Sequence, residues 1–184
     1  MKRRWNVSAW GFTLVELLIV VTVISILAAI TILTYNGAQS RARNTQTTAS
    51  VSGYARAIQA FYSQHGTYPY SPPTTVACLG SPGAKCGNLT DATSTCGFGP
   101  ATYQAAFAND IASTGSAPTD PNNQTLTCSG KKFGGVIYVN YGTSVILYVF
   151  LRGVSSCPSI GGTTLYSSGA FGDGYICTLQ IINS

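Results

Sequence analysis

Six cysteines are the residues best equipped for covalent or metal chemistry: Cys78, Cys86, Cys96, Cys128, Cys157 and Cys177. Their successive spacings of 8, 10, 32, 29 and 20 contain no C-x-x-C, so tight zinc or iron–sulfur ligation fits poorly. An even number of thiols, all after residue 77 in Gly-, Ser- and Thr-rich sequence, fits disulfides formed in an oxidising compartment. The pairing stays open, because six cysteines combine in many ways. Cys157 and Cys177 flank the loop between the last two expected strands and are the favoured pair. One of Cys78, Cys86 and Cys96 is expected to reach Cys128. Acid–base chemistry is poorly supplied. The one histidine, His65, sits beside a helix-stop signal, and only five residues are acidic. Asp110, Asp120 and Asp173 are scattered, and Asp173-Gly174 reads as a turn, whereas calcium needs clustered oxygen ligands. No G-x-S-x-G nucleophile elbow is present. We therefore expect no enzyme, catalytic residue, metal or cofactor; a membrane-tethered enzyme is the remote alternative.

The one glutamate, Glu16, lies inside the most apolar stretch of the chain. From Phe12 to Leu33 the sequence reads FTLVELLIVVTVISILAAITIL. A helix rises about 1.5 Å per residue, so this run can cross a hydrocarbon core of about 30 Å. Lys2, Arg3 and Arg4 precede it and keep the N-terminus cytoplasmic, placing the cysteines outside. An ordinary secretory signal peptide, cut near Ala28-Ala29, is the rival reading. Against it, the apolar run continues through Ile30, Ile32 and Leu33. A carboxylate at the start of that run also costs insertion energy for no purpose in a discarded peptide.

Gly11-Phe12-Thr13-Leu14-Val15-Glu16, after a short basic leader and before the apolar run, resembles the type III signal of type IV prepilins and pseudopilins. FYSQHGTYP, Phe61 to Pro69, is also similar to the region closing the long pilin helix, and TYNGAQSRAR, Thr34 to Arg43, is similar to pilins of Gram-positive or candidate-phylum bacteria. The resemblance implies a prepilin peptidase that cuts between Gly11 and Phe12 and methylates Phe12. It implies that Glu16 of an incoming subunit meets the Phe12 amine of its neighbour, relieving a bare carboxylate in lipid. The competing role for Glu16 is complementing the positive end of the helix dipole. Implied partners are other copies of the chain in a helical filament, the peptidase, the assembly platform with its ATPase, and the membrane. Many pilins carry a proline inside the apolar segment; this chain has none, and Asn36-Gly37 is the nearest weak point.

The elements follow from periodicity. Val51, Tyr54, Ala55, Ile58, Phe61 and Tyr62 share one helix face, and Ala38, Ala42 and Ala49 are read as its smaller-residue extension. His65-Gly66 stops the helix. We divide the chain into a leader, 1–11; a long helix, 12–64, with residues 12–33 transmembrane; and a disulfide-containing head, 65–184. Residues 66–135 read as loop-rich, with a short helix over Thr102–Ala112 carrying Tyr103, Ala106, Phe107 and Ile111 on one side. VIYVNY and SVILYVFL around Gly142-Thr143 read as a hairpin, and GYICTLQII as a further strand. The fold class is α+β: a long helix whose second half covers an antiparallel sheet of three or four strands.

Composition bounds the function. The chain has 184 residues, with 8% charged and 11% aromatic, which suits one folded domain plus an appendage. Lys2, Arg3 and Arg4 supply +3 of the net +5; from Phe12 onward seven Lys/Arg face five Asp/Glu, a net of +2. That is too weak to argue for nucleic acid, and Arg41, Arg43, Arg56, Lys131 and Lys132 read as a solvated surface. The eleven tyrosines read mostly as core and strand residues rather than a stacking surface. Asn88-Leu89-Thr90 and Asn123-Gln124-Thr125 match glycosylation acceptors. The function that the resemblance implies is a filament-forming pilin serving adhesion, motility or DNA uptake, membrane-anchored before assembly and extracellular after it. The alternative is a pseudopilin or minor pilin of a type II secretion or competence system; scattered acids favour the pilin.

Overall fold

The structure is a computed structural model that describes residues 12–181 except 92, 94, 117, 122 and 123, with backbone alone for 32–36. The chain divides into two units, Met1–Gln39 and Ser40–Ser184, and each is described by itself. Helix α1, Leu14–His65, contributes to both.

In the first unit the stretch Leu14–Thr31 has a mean hydropathy of 2.7 and is long and apolar enough to cross a membrane. Its apolar side chains face outward all round. Its hydroxyls are satisfied inside the helix: Thr22 donates to the Ile19 carbonyl at 2.8 Å and Ser25 to the Val21 carbonyl at 2.7 Å. Such back-bonding leaves no hydroxyl bare in an apolar surrounding. The helix continues through Gly37 without a break.

In the second unit, α1 buries Val51, Tyr54, Ala55, Ile58 and Phe61, with Tyr62 half-buried. The upstream extension differs from the expectation. Ala38, Ala42 and Ala49 are exposed, and Asn44, Thr47 and Ser50 are the buried positions. The buried stripe keeps its 3.6-residue phase, and polar residues are tolerated on it because they find partners. Asn44 Nδ2 donates to the Arg152 carbonyl at 2.8 Å, Gln124 Nε2 donates to Asn44 Oδ1, and the Ser50 hydroxyl donates to the Thr119 carbonyl. The helix ends at Gly66, whose φ of +70° only glycine adopts easily and whose N–H donates to the Tyr62 carbonyl at 2.8 Å.

Among the described residues nine strands follow: β1 Thr75–Cys78, β2 Lys85–Asn88, β3 Pro100–Thr102, β4 Thr125–Cys128, β5 Lys131–Gly134, β6 Val136–Asn140, β7 Val145–Leu151, β8 Thr163–Phe171 and β9 Gly174–Ile181. They form two antiparallel sheets, β1-β6-β7-β9-β8 and β3-β2-β5-β4. The expected hairpin is β6–β7, closed by the Tyr141 N–H donating to the Ser144 carbonyl at 2.9 Å. The first sheet has five strands rather than three or four. The additions are the edge strands β1, only four residues long, and β8, whose TTLYSSGAF is too polar to stand out by pattern. The second sheet lies in the stretch read as loop, because strands of three or four residues carry little periodicity. The short helix α2 spans Ala105–Ser113; it buries Phe107 and Ile111 but leaves Ala106 exposed.

β7 explains the layering. Val145, Leu147, Val149 and Leu151 join the core under α1, while Phe150 and Tyr148 join a second core with Phe133, Leu126 and Phe171 under the second sheet. A strand buried on both faces reads as a continuous apolar run, as VILYVFL does. The second unit is thus helix on sheet on sheet, an α+β, pilin-like architecture.

Candidate functional site

Thr13 and Glu16 build the start of α1. The Thr13 N–H and hydroxyl both donate to Glu16 Oε2, at 2.9 and 2.8 Å, and the Glu16 N–H donates to Thr13 Oγ1 at 3.3 Å. This reciprocal arrangement is a capping box, which satisfies donors that the first helical turn leaves free. T-x-x-E at residues 13–16 is its sequence signal, and a reading of Glu16 as a charge alone misses it. Oε2 takes both bonds, and Oε1 has no hydrogen-bond donor among the described residues. The arrangement holds a carboxylate at the exposed N-terminal end of an apolar helix. Phe12 beside it is 82% exposed. Gly11 lies outside the described residues.

The head's sequence-predicted residues are placed structurally. Cys78–Cys86 ties β1 of the first sheet to β2 of the second, Cys96–Cys128 ties the loop before β3 to β4, and Cys157–Cys177 ties the loop before β8 to β9. His65 stacks on Phe61 with ring centroids 4.1 Å apart. Each aspartate fastens a loop. Asp110 accepts the Tyr70 N–H at 2.7 Å, and Asp120 accepts the Ser81 hydroxyl. Asp173 accepts the Thr127 N–H at 2.6 Å and pairs with Arg152 at 2.8 Å. Asp91 pairs with Lys131 and accepts from Thr93, and those hydrogen bonds hold its carboxyl well below the usual carboxylate range. Among the described residues no three His, Cys, Asp or Glu gather as a metal site would need. Asn88 is buried, and its amide donates to Asp91 at 3.0 Å and to the Thr93 carbonyl at 2.7 Å, so that acceptor motif is spent on a turn. Asn123 lies outside the described residues.

The profile described as the prokaryotic N-terminal methylation motif matches residues 11–32. The segment is similar to a type IV prepilin signal. Gly11, Phe12 and Glu16 all fall within the matched residues of that signal. The type IV major pilin protein PilE1 of Neisseria gonorrhoeae is 36% identical over 72 residues, which are 39% of this chain and 34% of that protein. A fimbrial protein of Neisseria meningitidis serogroup B is 36% identical over 64 residues, 35% of this chain and 38% of that protein. The chain therefore spans little more than a third of the length of the curated pilins it matches. No solved structure matches it.

Proposed function

We propose that this chain is a type IV pilin, a structural subunit that polymerises into an extracellular filament. A prepilin peptidase removes residues 1–11 by cutting between Gly11 and Phe12, and Phe12 is then N-methylated. Residues 12–33 hold the subunit in the membrane with the N-terminus cytoplasmic, and residues 65–184, with their three disulfides, form the external head. An assembly platform and its ATPase lift the subunit into the filament, which serves adhesion, motility or DNA uptake. There Glu16 of the incoming subunit pairs with the Phe12 ammonium of its neighbour. One observation carries this reading: the N-terminal methylation motif runs along an apolar helix whose single carboxylate is held at its exposed N-terminal end by Thr13. A charge so placed in lipid needs a cation. Mass spectrometry of the mature protein tests it, with a methylated Phe12 as the expected N-terminus. An N-terminus near Ile30 would make the segment an ordinary signal peptide and overturn the proposal.

A further inference from the structure

Most of the protein's aromatic surface is spent on packing: Tyr54, Tyr68 and Tyr138 are buried. Tyr141 and Tyr166 are not; they are 49% and 69% exposed, and Tyr148 is half-buried. These three phenols interact. Tyr141 and Tyr148 line one groove, and Tyr141 and Tyr166 both lie within electrostatic reach of Tyr148. They gather where the second sheet stops covering the outer face of the first. Beneath that sheet Ile137 and Phe150 are closed off, but beside the β6–β7 turn Val76 is 41% exposed. A groove of about 360 Å³ runs there, walled on one side by Tyr141 and Tyr148 and on the other by the segment 97–101. Phe98 meets Tyr148 edge-on across it, ring centroids 5.2 Å apart.

The lining contains no Asp, Glu, Lys, Arg or His. That is notable on a head that carries seven Lys/Arg and four Asp from residue 40 onward. Burial, and then the neighbouring Tyr141 phenol, push the Tyr148 hydroxyl up to about 12, so the groove is uncharged at physiological pH.

We propose that this groove binds a neutral saccharide. Its volume lies at the low end of the range of about 300–1,000 Å³ for small-ligand sites and suits about one or two sugar rings. Aromatic faces stack on the apolar C–H face of a sugar ring, and tyrosine combines that apolar body with a polar tip. Phenol hydroxyls both donate and accept, which matches a ligand made of hydroxyl groups. A proline-rich peptide, the other guest of aromatic grooves, offers carbonyl acceptors and few donors. An acidic glycan would lose its hydration here with no cation to receive it. The site stands on the head alone and is independent of how the N-terminus is processed.

The test uses the full-length protein in a zwitterionic detergent without a sugar headgroup, applied to an array of neutral glycans, sialylated and sulfated glycans, and proline-rich peptides. Retention on neutral glycans is expected, followed by titration of the best one. Tyr141→Ala and Tyr148→Phe should each weaken that binding about tenfold. Tyr148→Phe keeps the ring and its packing, so its loss reports the hydroxyl rather than misfolding. Failure of every neutral glycan to bind would overturn the proposal. So would preference for acidic glycans or proline-rich peptides, or unchanged affinity in both variants.

Discussion

At the residue scale, two roles of Glu16 can be separated because a capping box accepts either Glu or Gln at its third helical position. Glu16→Gln keeps the box with Thr13 and removes the charge. Thr13→Val keeps the charge and breaks the box, at a cost of about 0.5–2 kcal/mol in helix stability. If Glu16 pairs with a neighbouring Phe12 ammonium, the Gln variant inserts and is processed but makes few filaments, while Thr13→Val still makes them. Filament counts by electron microscopy, set against processed membrane-bound subunit in the same cells, decide it. Wild-type filament numbers in Glu16→Gln would confine the residue to capping. The box, T-x-x-E within one turn, is written in the sequence but is passed over where Glu16 is read as a charge; the signal was legible there because its residues are contiguous. The Asn44 cluster was not, since its partners Gln124 and Arg152 lie 80 and 108 residues away.

At the element scale, long periodic segments declared themselves and short ones did not. The buried face from Val51 to Phe61 and the β6–β7 hairpin follow from spacing alone. The second sheet does not, because its strands hold three or four residues each and take their burial from Phe133, Leu126 and Ala101 meeting the first sheet. The upper end of the helix face shows the same limit in reverse. Alanines look like packing residues and asparagine does not, yet Asn44 is the one facing inward. Asn44→Ala should destabilise the head by about 1–3 kcal/mol, since it strips the Gln124 amide and the Arg152 carbonyl of a buried partner. Ala42→Ser and Ala49→Ser, on the exposed side, should stay within about 0.5 kcal/mol. Denaturant titration of the full chain in detergent, followed by near-ultraviolet circular dichroism, measures all three. A neutral Asn44→Ala would mean that the helix is fastened by its apolar stretch alone.

At the scale of the whole molecule, covalent ties and titrating groups set where the head survives. Cys96–Cys128 closes the longest of the three disulfide loops, at a sequence separation of 32. Removing it by Cys96→Ser with Cys128→Ser should cost about 3–4 kcal/mol by loop entropy, read as a fall in the denaturation midpoint. The pH range follows from groups whose folded and unfolded proton affinities differ. Burial pushes the Tyr54 hydroxyl from its ordinary 10.0 up to about 12, and burial pushes Tyr138 up as well. A raised pKa means that the folded state keeps a proton which the unfolded chain releases. Stability from these tyrosines is therefore complete below about pH 10 and declines as pH climbs through the folded value. Asp91 works the other way. Its carboxyl is held below the ordinary 3.8 by Lys131 and Thr93, so its contribution is present above that value and is lost as pH falls further. The denaturation midpoint should thus be flat from about pH 5 to 9 and fall on both sides. Asp91→Asn should flatten the acid limb and leave the alkaline one. Tyr54→Phe, which keeps the ring in the core, should make the alkaline fall shallower and leave the acid limb alone. An alkaline limb as steep in Tyr54→Phe as in the unaltered protein would show that the buried phenol does not link folding to proton release.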